Sequence, residues 1–187
     1  MKPAKVPRSR RVLILVDFIN PLNFPGADKL AKPALVAARA TVAAARAARG
    51  PEGGGGLRQR QLRLLAVGLP RPGDAVLRAR RHQRRDRAHA RPRPHDITLL
   101  KPRHSAFYCT ALELLLKDMG ARELIVAGLS ADMCVQMTAA DAFLRGFEGV
   151  WVPADCTAAE TPQAKAAAVK YMRDILKCDV RPARARR

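Results

Sequence analysis

The chain has 187 residues, 48% of them apolar, and a formal net charge of +19. That length and apolar share fit one globular domain, 1–187, with a real core, and they exclude a disordered chain. The charge would suggest a nucleic-acid partner until it is located. A basic arm over residues 1–10 runs on to Arg11, four arginines follow Val180 in a tail over 181–187, and twelve arginines stand against Asp74 and Asp86 between Leu57 and His95. The stretches 12–56 and 96–180 carry equal numbers of basic and acidic residues. The body of the domain is therefore neutral, and it gives no reason to expect nucleic acid as its partner. Cys109, Cys134, Cys156 and Cys178 have neither CxxC nor metal-ligand spacing, and no secretory signal pattern precedes them. Free thiols in a reducing, cytoplasmic setting are expected, with no metal and no membrane span.

In chain order, Val12-Leu13-Ile14-Leu15-Val16 reads as a strand buried on both faces, and it delivers Asp17 at its carboxyl end. Asn20 to Asp28 is a Pro/Gly/Asn loop. A helix from about Leu30 to Arg49 follows, with Leu30, Leu35, Ala38 and Val42 on one face and Gly50-Pro51 as its stop. Ile97-Thr98-Leu99-Leu100 is a short strand ending in Lys101-Pro102. Thr110 and Glu113 have capping-box spacing before the stripe Leu112, Leu115, Leu116 and Met119, and Gly120 closes that helix. Leu124-Ile125-Val126-Ala127 is another doubly buried strand. It breaks at Gly128, and a helix that ends near Gly146 begins with Cys134 in its first turn. Val150-Trp151-Val152 is a strand stopped by Pro153. Thr161-Pro162 reads as N-cap and N1 of a last helix with Ala166, Val169, Met172 and Leu176 inward. A final short strand is expected at Cys178–Val180, with a frayed tail after it.

Strands alternating with helices predict an α/β fold, a parallel open sheet with helices on both faces. Sites in such sheets form beyond the carboxyl ends of the strands. Three strands end there in Asp17, Lys101 and the Gly128 turn, so an acid, an amine and a thiol converge on one edge. A cysteine at a helix N-terminus is expected to have a lowered pKa and to be nucleophilic. Taken singly, Cys134 could equally be a core residue, Asp17 a loop cap and Lys101 a surface lysine.

The segments VLILVDFIN, KPRHSAFYCTALELLLKDMGARELIVAGLSADMCVQMTAADAFLRGF and VPADCTAAE resemble the isochorismatase-like cysteine hydrolases, over roughly residues 11–50 and 92–180. The resemblance implies a Rossmann-like three-layer fold and a catalytic triad of Asp17, Lys101 and Cys134. It also implies a cis peptide between Leu129 and Ser130 that aims the N–H groups of Ser130 and Cys134 at an oxyanion. The activity implied is hydrolysis of a small amide or ureido substrate through a thioester, with no cofactor. Lys101 would favour the thiolate and Asp17 would carry the proton. Oligomers are common in such a family, so the resemblance leaves a homo-oligomer open. Vinyl-ether hydrolysis of an isochorismate-like compound is an alternative, although enzymes of that type do not have this cysteine.

Residues 51–91 do not fit the resemblance. Gly53-Gly54-Gly55-Gly56 and the arginine-rich run after it fit neither helical nor strand period well, so a disrupted second strand is expected. One reading is a basic insert that contacts nucleic acid, with the domain a catalytically impaired remnant. The absence of aromatic residues in the run weakens a role in single-strand stacking. The sharper reading is a translated frameshift. Shifted by one base, Leu57–Pro70 permits Tyr-Val-Asn-Asp-Asn-Phe-Gly-Cys-Trp-Arg-Ser-Asp-Phe, which resembles the NDNFGxWRSDF segment of a cysteine-hydrolase subgroup. Resequencing of the gene with transcript reads across codons 50–92 is expected to find the shift, and an unbroken frame overturns it.

Overall fold

A computed structural model describes residues 6, 8–18, 27–49, 63–68 and 97–186. Its centre is β1 (Arg11–Val16), flanked in parallel by β2 (Arg63–Gly68) on one side and β4 (Glu123–Leu129) on the other. With β3 (Ile97–Leu100) beyond β2 and β5 (Gly149–Trp151) beyond β4, the order is β3-β2-β1-β4-β5, all parallel. The two-residue β6 (Thr157–Ala158) extends the sheet past the end of β4. The helices are α1 (Ala27–Arg49), α2 (Leu112–Met119), α3 (Gln136–Leu144) and α4 (Pro162–Asp174).

Period-two alternation along β1 explains the layering. Val12, Ile14 and Val16 enter a core with Leu112, Leu116 and Met119 of α2, Ala139 and Ala142 of α3, and Ala168 and Met172 of α4. Leu13 and Leu15 face the other way with Ile125, Ala127 and Cys156, against Ala40, Ala44 and Ala45 of α1. Both faces of the sheet are therefore covered, as a parallel sheet with apolar strands requires. Full burial of each Val, Leu or Ile side chain contributes about 1.5–3 kcal/mol.

Five sequence expectations are corrected. The second strand is not disrupted: β2 fills its slot between β1 and β3. The run Leu64-Leu65-Ala66-Val67 is long enough for a central strand, although arginines surround it. The rest of the unusual segment, 51–62 and 69–91, lies outside the described residues, as does the Asn20 to Asp28 loop up to residue 26. In α1 the buried stripe is Ala27, Leu30, Ala34, Ala37 and Thr41, while Leu35, Ala38 and Val42 are only half-buried. Small residues there bring the helix axis close to the sheet. The capping box before α2 does not form. Thr110 Oγ1 accepts from Leu112 N–H at 3.2 Å, and Glu113 turns away to Arg145. In α4, Ala168 is the buried alanine and Ala166 is exposed. The Thr161 cap itself forms, accepting from Ala164 N–H at 3.1 Å.

The fifth correction concerns the tail. Asp179 makes a single parallel bridge to Trp151 in place of a full strand. Trp151 Nε1 then donates to Arg181 O at 2.8 Å, and Asp155 accepts from Ala183 N–H at 2.7 Å. Ala183–Arg186 is a short 3-10 turn held by Asp155. The arm, too, is docked at its end: Ser9 N–H donates to Met119 O, and Arg10 O accepts from Arg122 and Glu123.

β1 and β4 approach closely where they end side by side, with Val16 opposite Gly128. A Cβ on Gly128, whose φ is +137°, would lie 2.0 Å from Val16 O. Gly128→Ala is expected to lower stability by about 2–5 kcal/mol through overpacking plus backbone strain. Gly146→Ala, with φ +70° and open space around it, should cost about 1 kcal/mol. Urea midpoints of the two variants check the difference.

Candidate active site

Parallel strands in this order put the residues after Val16, Leu100 and Leu129 on one edge of the sheet. Asp17 leaves β1 with φ 53°, a left-handed conformation that aspartate tolerates better than most residues. Lys101 leaves β3, two strands away, and neighbouring strands are about 4.8 Å apart. A long side chain is needed to cross the end of β2, and lysine supplies it. Lys101 is fully buried and its Nζ makes three contacts: Asp17 Oδ2 at 2.8 Å, Arg103 O at 3.0 Å and Cys134 Sγ at 3.5 Å. An ammonium has three donors, and each finds a partner. Asp17, Lys101 and Cys134 therefore meet around one nitrogen.

The cysteine is carried by a turn of unusual form. The Leu129–Ser130 peptide is cis. Ala131–Val135 then forms one π turn, in which Ser130 O accepts from Val135 N–H at 3.0 Å and from Met133 N–H at 3.3 Å. Two threonines fix this turn. Thr157 Oγ1 donates to Gly128 O at 2.8 Å, and Thr138 Oγ1 donates to Cys134 O at 2.7 Å. Thr138 also accepts from Ala106 N–H at 3.0 Å, which ties the Lys101 segment to the start of α3.

A model of the isochorismatase domain matches residues 11–180. The chain belongs to the isochorismatase family. It is 36% identical over 85 residues to the uncharacterized isochorismatase family protein YaaI of Bacillus subtilis, 46% of each chain. It is 41% identical over 73 residues to the ureidoacrylate amidohydrolase RutB of Methylorubrum extorquens, 39% of this chain and 29% of the relative. The matches thus span less than half the length of these relatives. Among solved structures, an isochorismatase-like hydrolase from Alkaliphilus metalliredigens superposes with a TM-score of 0.73 at 19% identity, covering 95% of this chain and 94% of that one. The N-carbamoylsarcosine amidase of Thermoplasma acidophilum gives 0.69 at 23%, covering 93% and 96%. These likenesses are of fold.

Within this isochorismatase fold the thiol is not the preformed thiolate expected of a cysteine at a helix start. Burial pushes Cys134 up to about 11, the charge of Asp17 adds to that, and Lys101 pulls the other way without prevailing. Cys178 and Cys156 are raised by burial to about 11 and about 12 as well. Position therefore distinguishes Cys134 more than acidity does. Of the three buried cysteines it alone touches Lys101, while Cys109 is exposed. Asp17 Oδ1 is buried with no hydrogen-bond partner, so one carboxylate oxygen beside the lysine is open to a proton.

One neighbour of the thiol is absent from the sequence reading. His104 Nδ1 lies 3.7 Å from Cys134 Sγ. The signal was present, since His104 sits three residues after Lys101 in the same KPRHSAF segment. Only the loop geometry turns it onto the sulfur. Among the described residues, no group of three or more His, Cys, Asp or Glu is arranged to hold a metal ion. Nor is any helix among them long and apolar enough to cross a membrane.

Alkylation of Cys134 by iodoacetamide should rise with pH toward an inflection near about 11. Asp17 disfavours the thiolate, so Asp17→Asn, which keeps an acceptor for Lys101, should move the inflection down and speed alkylation at pH 8. Lys101→Met should move it up. Rate profiles of the three proteins, with the modified residue located by peptide mapping, check the signs.

Proposed function

We propose that this chain is a cysteine hydrolase that cleaves the C–N bond of a small amide or ureido compound through a thioester. The observation that carries the reading is the single buried nitrogen, Lys101 Nζ, in contact with both Asp17 Oδ2 and Cys134 Sγ at the carboxyl edge of the sheet. The names of similar proteins support the bond type: a ureidoacrylate amidohydrolase, an N-carbamoylsarcosine amidase and a nicotinamidase are all named for hydrolysis of an amide-type bond.

The roles follow from the charges. At rest the sulfur is a thiol, because burial and Asp17 oppose ionisation. As the substrate carbonyl reaches the sulfur, the thiol proton passes to Asp17 Oδ1, the oxygen left without a partner. Lys101 stays beside the sulfur and Asp17, and its charge favours the anionic sulfur during attack. The N–H groups of Ser130 and Cys134 are proposed to stabilise the oxyanion. Asp17 returns its proton to the leaving nitrogen, the C–N bond breaks, and a thioester on Cys134 remains for water to hydrolyse. No step needs a cofactor. The four free thiols among the described residues suit a reducing compartment.

Ammonia release from nicotinamide, ureidoacrylate and N-carbamoyl amino acids is the direct assay. Cys134→Ala is expected to lower turnover of whichever compound is cleaved by about a thousandfold or more. Full activity in Cys134→Ala, or vinyl-ether cleavage that survives complete alkylation of Cys134, sinks the acyl-enzyme reading. Salt-sensitive nucleic-acid binding in a protein with no hydrolytic activity would favour the basic-insert reading instead.

A further inference from the structure

The thioester left on Cys134 must be attacked by water, and three side chains surround the sulfur that carries it. Lys101 and Asp17 are buried, with side-chain exposures of 0% and 5%, and they hold each other at 2.8 Å. His104 is the exposed member of the group, 3.7 Å from Sγ through Nδ1. Its position is held from both sides. Arg103 O is fixed by Lys101 Nζ at 3.0 Å, and Ala106 N–H is fixed by Thr138 Oγ1 at 3.0 Å. Ser105 Oγ accepts from Phe107 N–H at 3.1 Å and closes the turn between those anchors. The backbone that carries the imidazole is thus anchored on both sides of His104, and the ring lies at the solvent side of a sulfur next to the buried Lys101 and Asp17.

We propose that His104 is a further catalytic residue, the general base that delivers water to the acyl-enzyme. The proposal rests on the thioester mechanism above and assigns the step that mechanism leaves open. Once the sulfur carries an acyl group, the ring beside it faces the thioester carbonyl from the side where water enters. A water oxygen bonds to the carbonyl carbon while one of its protons passes to the unprotonated ring nitrogen of His104. The tetrahedral adduct collapses, the C–S bond breaks, and its electron pair returns to sulfur. His104 gives the proton to that sulfur, which restores the thiol and the neutral imidazole, and the acid product leaves. Buried Asp17 serves the leaving amine, and exposed His104 serves the entering water.

The probe is p-nitrophenyl acetate, whose leaving group departs without a proton, so acetylation and deacetylation of Cys134 separate in time. Wild type should give a burst of p-nitrophenolate followed by turnover. His104→Asn should keep the burst amplitude, lower the steady-state rate by about a hundredfold or more, and accumulate acetyl-Cys134 by intact mass and peptide mapping. Hydroxylamine needs no base, so it should discharge both acyl-enzymes at the same rate. His104→Gln is the second variant, and iodoacetamide stoichiometry at Cys134 verifies that both variants retain the site. Deacetylation at the wild-type rate in both variants overturns the assignment. So does hydroxylamine discharge that slows as much as hydrolysis, because that shows a misplaced thioester. If wild type never acetylates Cys134, the cysteine-hydrolase reading falls with it.

Discussion

A lysine with no solvent exposure must be supplied with partners by the protein around it, and the site is arranged to meet that constraint. Lys101 Nζ draws one acceptor from the end of β1, one from its own loop and one from the turn before α3. These come from three separate parts of the chain, and they meet only if β2 holds β3 at the right distance from β1. Removing one partner of a buried ion pair costs about 3–5 kcal/mol, because the other charge is left uncompensated. The contact that brings the three residues together therefore cannot lose one member without destabilising the sheet edge. Assembly of the site in turn depends on completion of the sheet.

Burial has a second effect, on the thiol. Desolvation and the Asp17 carboxylate together outweigh Lys101 and keep Cys134 protonated at rest, near a pKa of about 11. The helix end that should favour a thiolate begins here as a single π turn. A protonated resting thiol is chemically useful when a base stands beside it. Asp17 Oδ1 has no hydrogen-bond partner, and in the proposed mechanism it takes the proton only when a carbonyl is in place to take the sulfur's electrons. An idle thiolate open to oxidation is avoided.

The strands that carry Asp17 and the Cys134 turn were legible in the sequence because both are continuous apolar runs with clear stops. The Thr161 cap and the Gly120 terminator were legible because each acts locally: Gly120 takes φ +67°, and its N–H bonds back to Lys117. Other features depend on distant partners and left weaker traces. After Leu30 the buried face of α1 lies one position from the leucine-led pattern, at Ala34, Ala37 and Thr41, because close approach to the sheet favours the small residues. Strand β2 was hidden because its flanking arginines mask a short apolar run that pairing on both sides makes sufficient. The tail seemed frayed because its anchor, Asp155, lies far back in the chain. His104 escaped because a histidine three residues after a lysine has no periodic meaning until a loop turns it toward a sulfur.

The backbone at the end of β4 explains why so few side chains suffice to define the edge. Gly128 lets β4 come against Val16 O more closely than any side chain would permit, and Thr157 Oγ1 holds the Gly128 carbonyl from the far side. With that point fixed, the position of Cys134 follows from two backbone bonds, Val135 and Met133 N–H onto Ser130 O, and one hydroxyl, Thr138 Oγ1 onto Cys134 O. Structures at 19–23% identity superpose over more than 90% of this chain, as expected when geometry is set by strand ends, glycine and peptide bonds rather than by many specific side chains. The segment Pro102-Arg103-His104 is exposed and anchored at both ends, so under the proposed mechanism a change there would alter what reaches the group on the sulfur while the contacts that hold the sulfur remain.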